Sequence, residues 1–161
     1  MERVRWWRKR FGRRRTAPLD AARTDLVVIA SSFDDVEACS SALERAAAAE
    51  PGWIADAEAV LRHHLRLPAD QVDGAVELAG QDGYAVAPPD APACVDVADA
   101  TSVEPGSGEQ VALVLQRVQV LDALHCSQER SRMAGLAQRA GGRVLGWDAL
   151  QPPRNPVART D

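Results

Sequence analysis

The chain has 161 residues and a net charge of −4, with 46% hydrophobic but only 4% aromatic residues. That length suits one domain with tails, whose core must be built from Val, Leu and Ala. No run is long and apolar enough to span a bilayer, and three Cys without a C-x-x-C pair argue against a disulfide framework or a zinc knuckle.

The first segment is a basic arm, expected to be flexible over residues 1–25. Residues 1–15 (MERVRWWRKRFGRRR) hold eight Lys/Arg against one Glu, or +7, which leaves −11 on the rest of the chain. No apolar stretch of the signal-peptide kind follows it. With reduced cysteines, a cytoplasmic location is expected, with the membrane surface as a second possible site. If helical, Val4, Trp7 and Phe11 would share one stripe. Arg3, Arg5, Trp6, Trp7, Arg8, Lys9, Arg10, Arg13, Arg14 and Arg15 are the candidate nucleic-acid- or anion-binding residues. Guanidinium groups pair with phosphates, and Trp rings stack on bases. The same composition suits an anionic membrane surface. A solvated tail with no specific partner is the plainest alternative.

Residues 26–150 read as a single α+β domain with its core at 57–150. In 26–49, LVVI has strand propensity. Yet Leu26, Ile29, Phe33, Val36, Leu43 and Ala47 fall on a helical spacing, so a helix is expected there, interrupted at Ser31-Ser32. Pro51-Gly52 ends it. Residues 59–67 alternate as a strand, with Leu61, His63 and Leu65 on one face and Arg62, His64 and Arg66 on the other. Pro68 opens a helix to Asp82 with Val72, Ala75, Val76 and Ala79 inward. Gly83 suits the left-handed residue after it.

Residues 84–86 read as a short strand, 87–109 as an acidic loop and 111–120 as the strongest strand. A helix over 127–140 should turn Met133, Leu136, Ala137 and Ala140 inward, and Glu129, Arg130, Arg132 and Arg139 outward. Residues 143–150 form the last strand, and 151–161 read as a disordered tail. The order βαββαβ predicts a ferredoxin-like sandwich with a four-stranded antiparallel sheet, preceded by an N-terminal helical segment. Architecture of this kind names no function by itself.

His63, His64, His125 and Cys126 form the only cluster with metal-ligating chemistry. Adjacent strand residues point to opposite faces, so His63 and His64 cannot share one ion. Cys126 and His125 are sequence neighbours, which seldom align for proton transfer. Asp122 could orient that pair, but is equally a helix N-terminal acid. There is no G-x-S-x-G and no Gly-rich phosphate loop. No metal, no cofactor and no catalysis are expected.

An ordered set of small motifs runs through the domain. His63-His64-Leu65 precedes a helix containing Ala69-Asp70, which ends in Gly83-Tyr84-Ala85-Val86-Ala87-Pro88-Pro89. An apolar strand follows, then a helix with Met133-Ala-Gly-Leu136-Ala137, then Gly142-x-x-x-Gly146-Trp147. This order resembles the regulator of ribonuclease activity B family over residues 57–152. The resemblance implies a ferredoxin-like fold, no catalysis, and binding to a ribonuclease E-type endoribonuclease as an inhibitor that modulates RNA turnover. The chain departs from that pattern in its basic arm, its Pro-rich tail and its longer 26–57 and 87–109 segments. Arg62, His64 and Arg66 on an open sheet face, with Gln128, Glu129 and Arg130 at a helix start, are the expected partner contacts. The alternative is an RNA-, ribosome- or membrane-associated protein anchored by the arm.

Overall fold

The computed structural model describes residues 17–50, 52–94 and 108–154. Among the described residues nine elements follow one another. They are β1 (Val27–Ser32), α1 (Cys39–Ala48), β2 (Glu58–Pro68), a short 3-10 turn (Ala69–Gln71), α2 (Val72–Gln81), β3 (Ala85–Val86), β4 (Gln110–Val120), α3 (Ala123–Arg139) and β5 (Arg143–Gln151). The strands form one five-stranded sheet in the order β1-β5-β2-β4-β3, with every neighbouring pair antiparallel.

The expected four strands are all present, and the expected sheet gains a fifth. Residues 26–49 are not a broken helix but a strand followed by a helix. Val27, Val28 and Ile29 are β-branched and favour extended backbone. The free edge of β5 gives them a ladder, Val27 opposite Gln151 and Ser32 opposite Trp147. The Ala-rich stretch keeps its helical preference only from Cys39 onward.

All three helices cover one face of the sheet. Ala42, Leu43 and Ala46 of α1 meet Ala59, Leu61, Trp147 and Ala149. Ala75 and Ala79 of α2, with Met133, Leu136 and Ala137 of α3, meet Leu65, Leu67, Leu113 and Leu115. Period-two alternation along β2 supplies this face from its odd-numbered residues. The second face is not open. Leu19 and Ala21 pack on Val60 and Leu150 at one end, and residues 86–94 lie along the other.

One local signal reads differently in the fold, and another reads as expected. Helix α3 begins at Ala123, four residues before the expected Ser127, because Asp122 caps it by accepting from the His125 backbone N–H at 2.8 Å. Gly83 has φ +81°, the left-handed turn that its sequence position predicts. Gly146 is required for a different reason. A Cβ there would lie 2.4 Å from Phe33 Cδ1 and 2.5 Å from the Ser32 carbonyl oxygen. Gly146→Ala is therefore expected to lower the unfolding free energy by about 1–3 kcal/mol, as overpacking does. Chemical denaturation measures it, and an unchanged midpoint would contradict the packing.

Candidate functional site

Strand β2 carries two polar networks, one on each face. On the second face, Arg62 Nε and Nη2 each donate to the Asp148 carboxylate of β5 at 2.6 Å. Asp148 also accepts from His64 Nε2 at 3.0 Å. The register explains the meeting, since Arg62 pairs with Asp148 across β2 and β5. All three residues are buried, Arg62 at 3%, His64 at 6% and Asp148 at 0% exposure. Burial pulls the Asp148 carboxyl upward, but the hydrogen bonds from His64 and Arg62, and their charges, hold it below its ordinary value.

Arg62 Nη1 donates to the Pro92 carbonyl at 2.6 Å and so holds the 87–94 segment over this face. The segment leaves the sheet after Ala87 N donates to Val114 O at 2.9 Å. Between it and the sheet lies a cleft of about 350 Å³. Arg62, His64, Val86, Pro88, Pro89, Pro92 and Val114 are among the residues that line it, and Cys94 stands at its edge.

On the helix face, Tyr84 donates to Glu129 Oε2 at 2.7 Å, and Arg117 meets Glu129 Oε1 at 3.2 Å. His63 Nε2 lies 3.5 Å from the same Tyr84 oxygen. Burial, then the neighbouring His64 ring, push the His63 imidazole down to about 3. Burial, then the bond to Glu129, raise the Tyr84 hydroxyl. Both are thus neutral at ordinary pH.

Several expected contacts are corrected by these networks. Arg62 and His64 do not project from an open face. Asp148 draws both inward, and a buried guanidinium with a bidentate carboxylate has no exposed charge to offer. Arg66 is half-buried. Glu129 points inward because Tyr84 and Arg117 satisfy it. Gln128, Glu129 and Arg130 stand in the second turn of α3 rather than at its start, and only Gln128 is exposed. Arg130 clamps a turn, donating to the carbonyls of Glu37 at 2.6 Å, Asp35 at 2.7 Å and Asp34 at 3.1 Å. The arm candidates from Arg3 to Arg15 lie outside the described residues.

Sequence reasoning missed Asp148, Tyr84 and Pro92 as members of these sites. Asp148 carried a signal, an acid inside an apolar strand. Cys126 and His125 do not form a nucleophile and base. His125 faces outward to Asp122, while Cys126 is fully buried beside Cys39, and burial followed by that neighbour raises its thiol well above the ordinary range. Among the described residues no three His, Cys, Asp or Glu side chains converge as a metal site, and no helix is long and apolar enough to cross a membrane.

The fold and its sites define an α+β domain whose strongest polar groups are tied to one another. No family model, no curated protein and no solved structure matches the chain.

Proposed function

We propose that the chain is a non-catalytic, cytoplasmic regulator that docks on a basic surface of a ribonuclease E-type endoribonuclease and slows its cleavage of RNA. The observation that carries this reading is the uncompensated acidity of the α2 side. Residues 69–83 contain four acids and no Lys or Arg. Asp82 pairs with Arg132 at 2.6 Å. Asp70, Asp73 and Glu77 are exposed and form no ion pair among the described residues. Three of the domain's cations are meanwhile held in ion pairs within the chain, Arg45 with Glu37, Arg62 with Asp148 and Arg117 with Glu129. A surface of one sign steers an oppositely charged partner and repels RNA.

Connectivity supports the family resemblance behind this reading. From β2 to β5 the chain runs βαββαβ, and the strands lie in the order β5-β2-β4-β3. We assign this part to a ferredoxin-like arrangement, with β1 and α1 as an addition at one edge. The second reading, an RNA- or membrane-associated protein, rests on the +7 of residues 1–15.

A tagged pull-down with nuclease treatment separates the two. The full chain is expected to retain the endoribonuclease after nuclease treatment. Asp73→Lys with Glu77→Lys should weaken that capture about tenfold at low salt and less at high salt, as expected for exposed charges. Loss of the complex on nuclease treatment would favour the arm reading. Capture unaffected by the double substitution would remove α2 from the interface.

A further inference from the structure

A second cleft, of about 350 Å³, is lined by the end of β1 and the turn after it, by α3 and by the first half of β5. His63 and Trp147 line it too, and they pair with each other across the β2–β5 ladder. Both are buried, at 0% and 1% exposure. Among the described residues three buried side-chain polar atoms have no hydrogen-bond partner, and two of them are His63 Nδ1 and Trp147 Nε1. Buried polar atoms are nearly always paired, so two orphans on the walls of one cleft call for an explanation.

The two atoms are chemically complementary. The indole N–H of Trp147 can only donate. The Tyr84 hydroxyl directs its single proton to Glu129 at 2.7 Å, so its oxygen can only accept from His63 Nε2 at 3.5 Å. That contact places the His63 proton on Nε2. Burial keeps the ring neutral, its value pushed down to about 3. Nδ1 is therefore a lone-pair acceptor. Cross-strand partners hold their Cβ atoms about 4.5–5.5 Å apart, so one small group is within reach of both rings.

We propose that this cleft binds a small uncharged molecule carrying a primary carboxamide or a lactam, whose C=O accepts from Trp147 Nε1–H while its N–H donates to His63 Nδ1. These groups present acceptor and donor on one edge, whereas a trans secondary amide presents them on opposite edges. Charge points the same way. Asp34 and Asp35 line the cleft together with Arg130 and Arg143, two acids and two cations, and the Arg130 guanidinium is already engaged by three carbonyls. The lining therefore favours neither an anion nor a cation. Phe33 and Val144 offer apolar contact to the body of the ligand. Both orphan atoms are covered, so a ligand reaches them as a lining side chain turns aside, and the half-buried Phe33 is placed to do so. The site shares no residue with the acidic α2 surface, so either can fail without the other.

The test is an NMR titration of the full chain, following the Trp147 indole N–H signal and the His63 ring nitrogens. Benzamide and 2-pyridone are expected to shift both saturably. N,N-dimethylbenzamide keeps the ring and the carbonyl but lacks the N–H. It should bind about tenfold more weakly than benzamide, because it leaves Nδ1 unpaired. Benzoate should bind more weakly than benzamide as well. His63→Phe should abolish the preference for benzamide over N,N-dimethylbenzamide, and the same comparison on the unaltered protein remains decisive where that variant fails to fold. Equal binding of these two probes to the unaltered protein would overturn the role of His63. Benzoate binding as tightly as benzamide would overturn the charge argument, and the absence of a saturable shift with any probe would overturn the site itself.

Discussion

Arg62→Ala is expected to remove about 3–5 kcal/mol of unfolding free energy, because it leaves the Asp148 carboxylate buried without its bidentate partner. A domain of this size has about 5–15 kcal/mol in total, so the variant should unfold at much lower urea. The effect comes from an unpaired charge and not from the worth of the pair. Arg62→Met combined with Asp148→Leu should therefore recover most of the loss. Arg62→Ala also frees Pro92, so the 87–94 segment should become accessible to protease. Urea denaturation measures the first effect, and a loss below about 1 kcal/mol would contradict the buried pair. Acid acts on the same group in a defined direction. The folded Asp148 carboxyl lies below its ordinary value of 3.8. Its contribution is thus fully present above that value and is lost as pH falls through the lower, folded one.

The second large effect is a loss of stability at mild acidity caused by His63. Its folded value of about 3 lies below the ordinary 6.5. The unfolded chain therefore binds a proton that the folded chain refuses between those values. Stability is complete above about 6.5 and falls as pH is lowered toward 3. Between pH 7 and pH 5 the loss should be about 2 kcal/mol, close to one proton over the lower part of the interval. Asp148, held below its ordinary value, titrates too low to act in that window. His63→Gln should flatten the dependence between pH 5 and pH 7, whatever it does to absolute stability. An equally steep dependence in that variant would assign the effect to another group.

The sequence was most legible where one period decided the structure. Alternation over 59–67 placed Leu61 and Leu65 toward the helices. Gly83 marked the left-handed turn, and the 110–120 strand could be read from propensity alone. It misled where two periods overlapped. Residues 26–36 satisfy a helical spacing, and only the free edge of β5, distant in sequence, makes Val27–Ser32 a strand. The site was less legible for a related reason. Alternation put Arg62 and His64 on the second face but could not say that Asp148 would stand opposite. A cross-strand register joins residues 86 positions apart, and no local pattern records it. The same limit applied to Glu129, whose outward helical phase is overridden by Tyr84 and Arg117.

The inward turn of Arg62 and His64 changes where a partner can bind. Neither is available on a surface, and the Arg130 guanidinium is taken up by three carbonyls. Asp70, Asp73 and Glu77 on the α2 side stay exposed and without an ion pair among the described residues. Docking should then depend on Asp73 and Glu77 and respond to salt, while substitutions at Arg62 should act through folding.

The most direct test of the regulator reading is a cleavage assay with a ribonuclease E-type enzyme and a short RNA substrate, adding the full chain in excess at low salt. The account predicts a slower cleavage rate that saturates with added protein, and a rate restored by Asp73→Lys with Glu77→Lys in a protein that remains folded. An unchanged rate, with no complex formed between the two proteins under the same conditions, would contradict it.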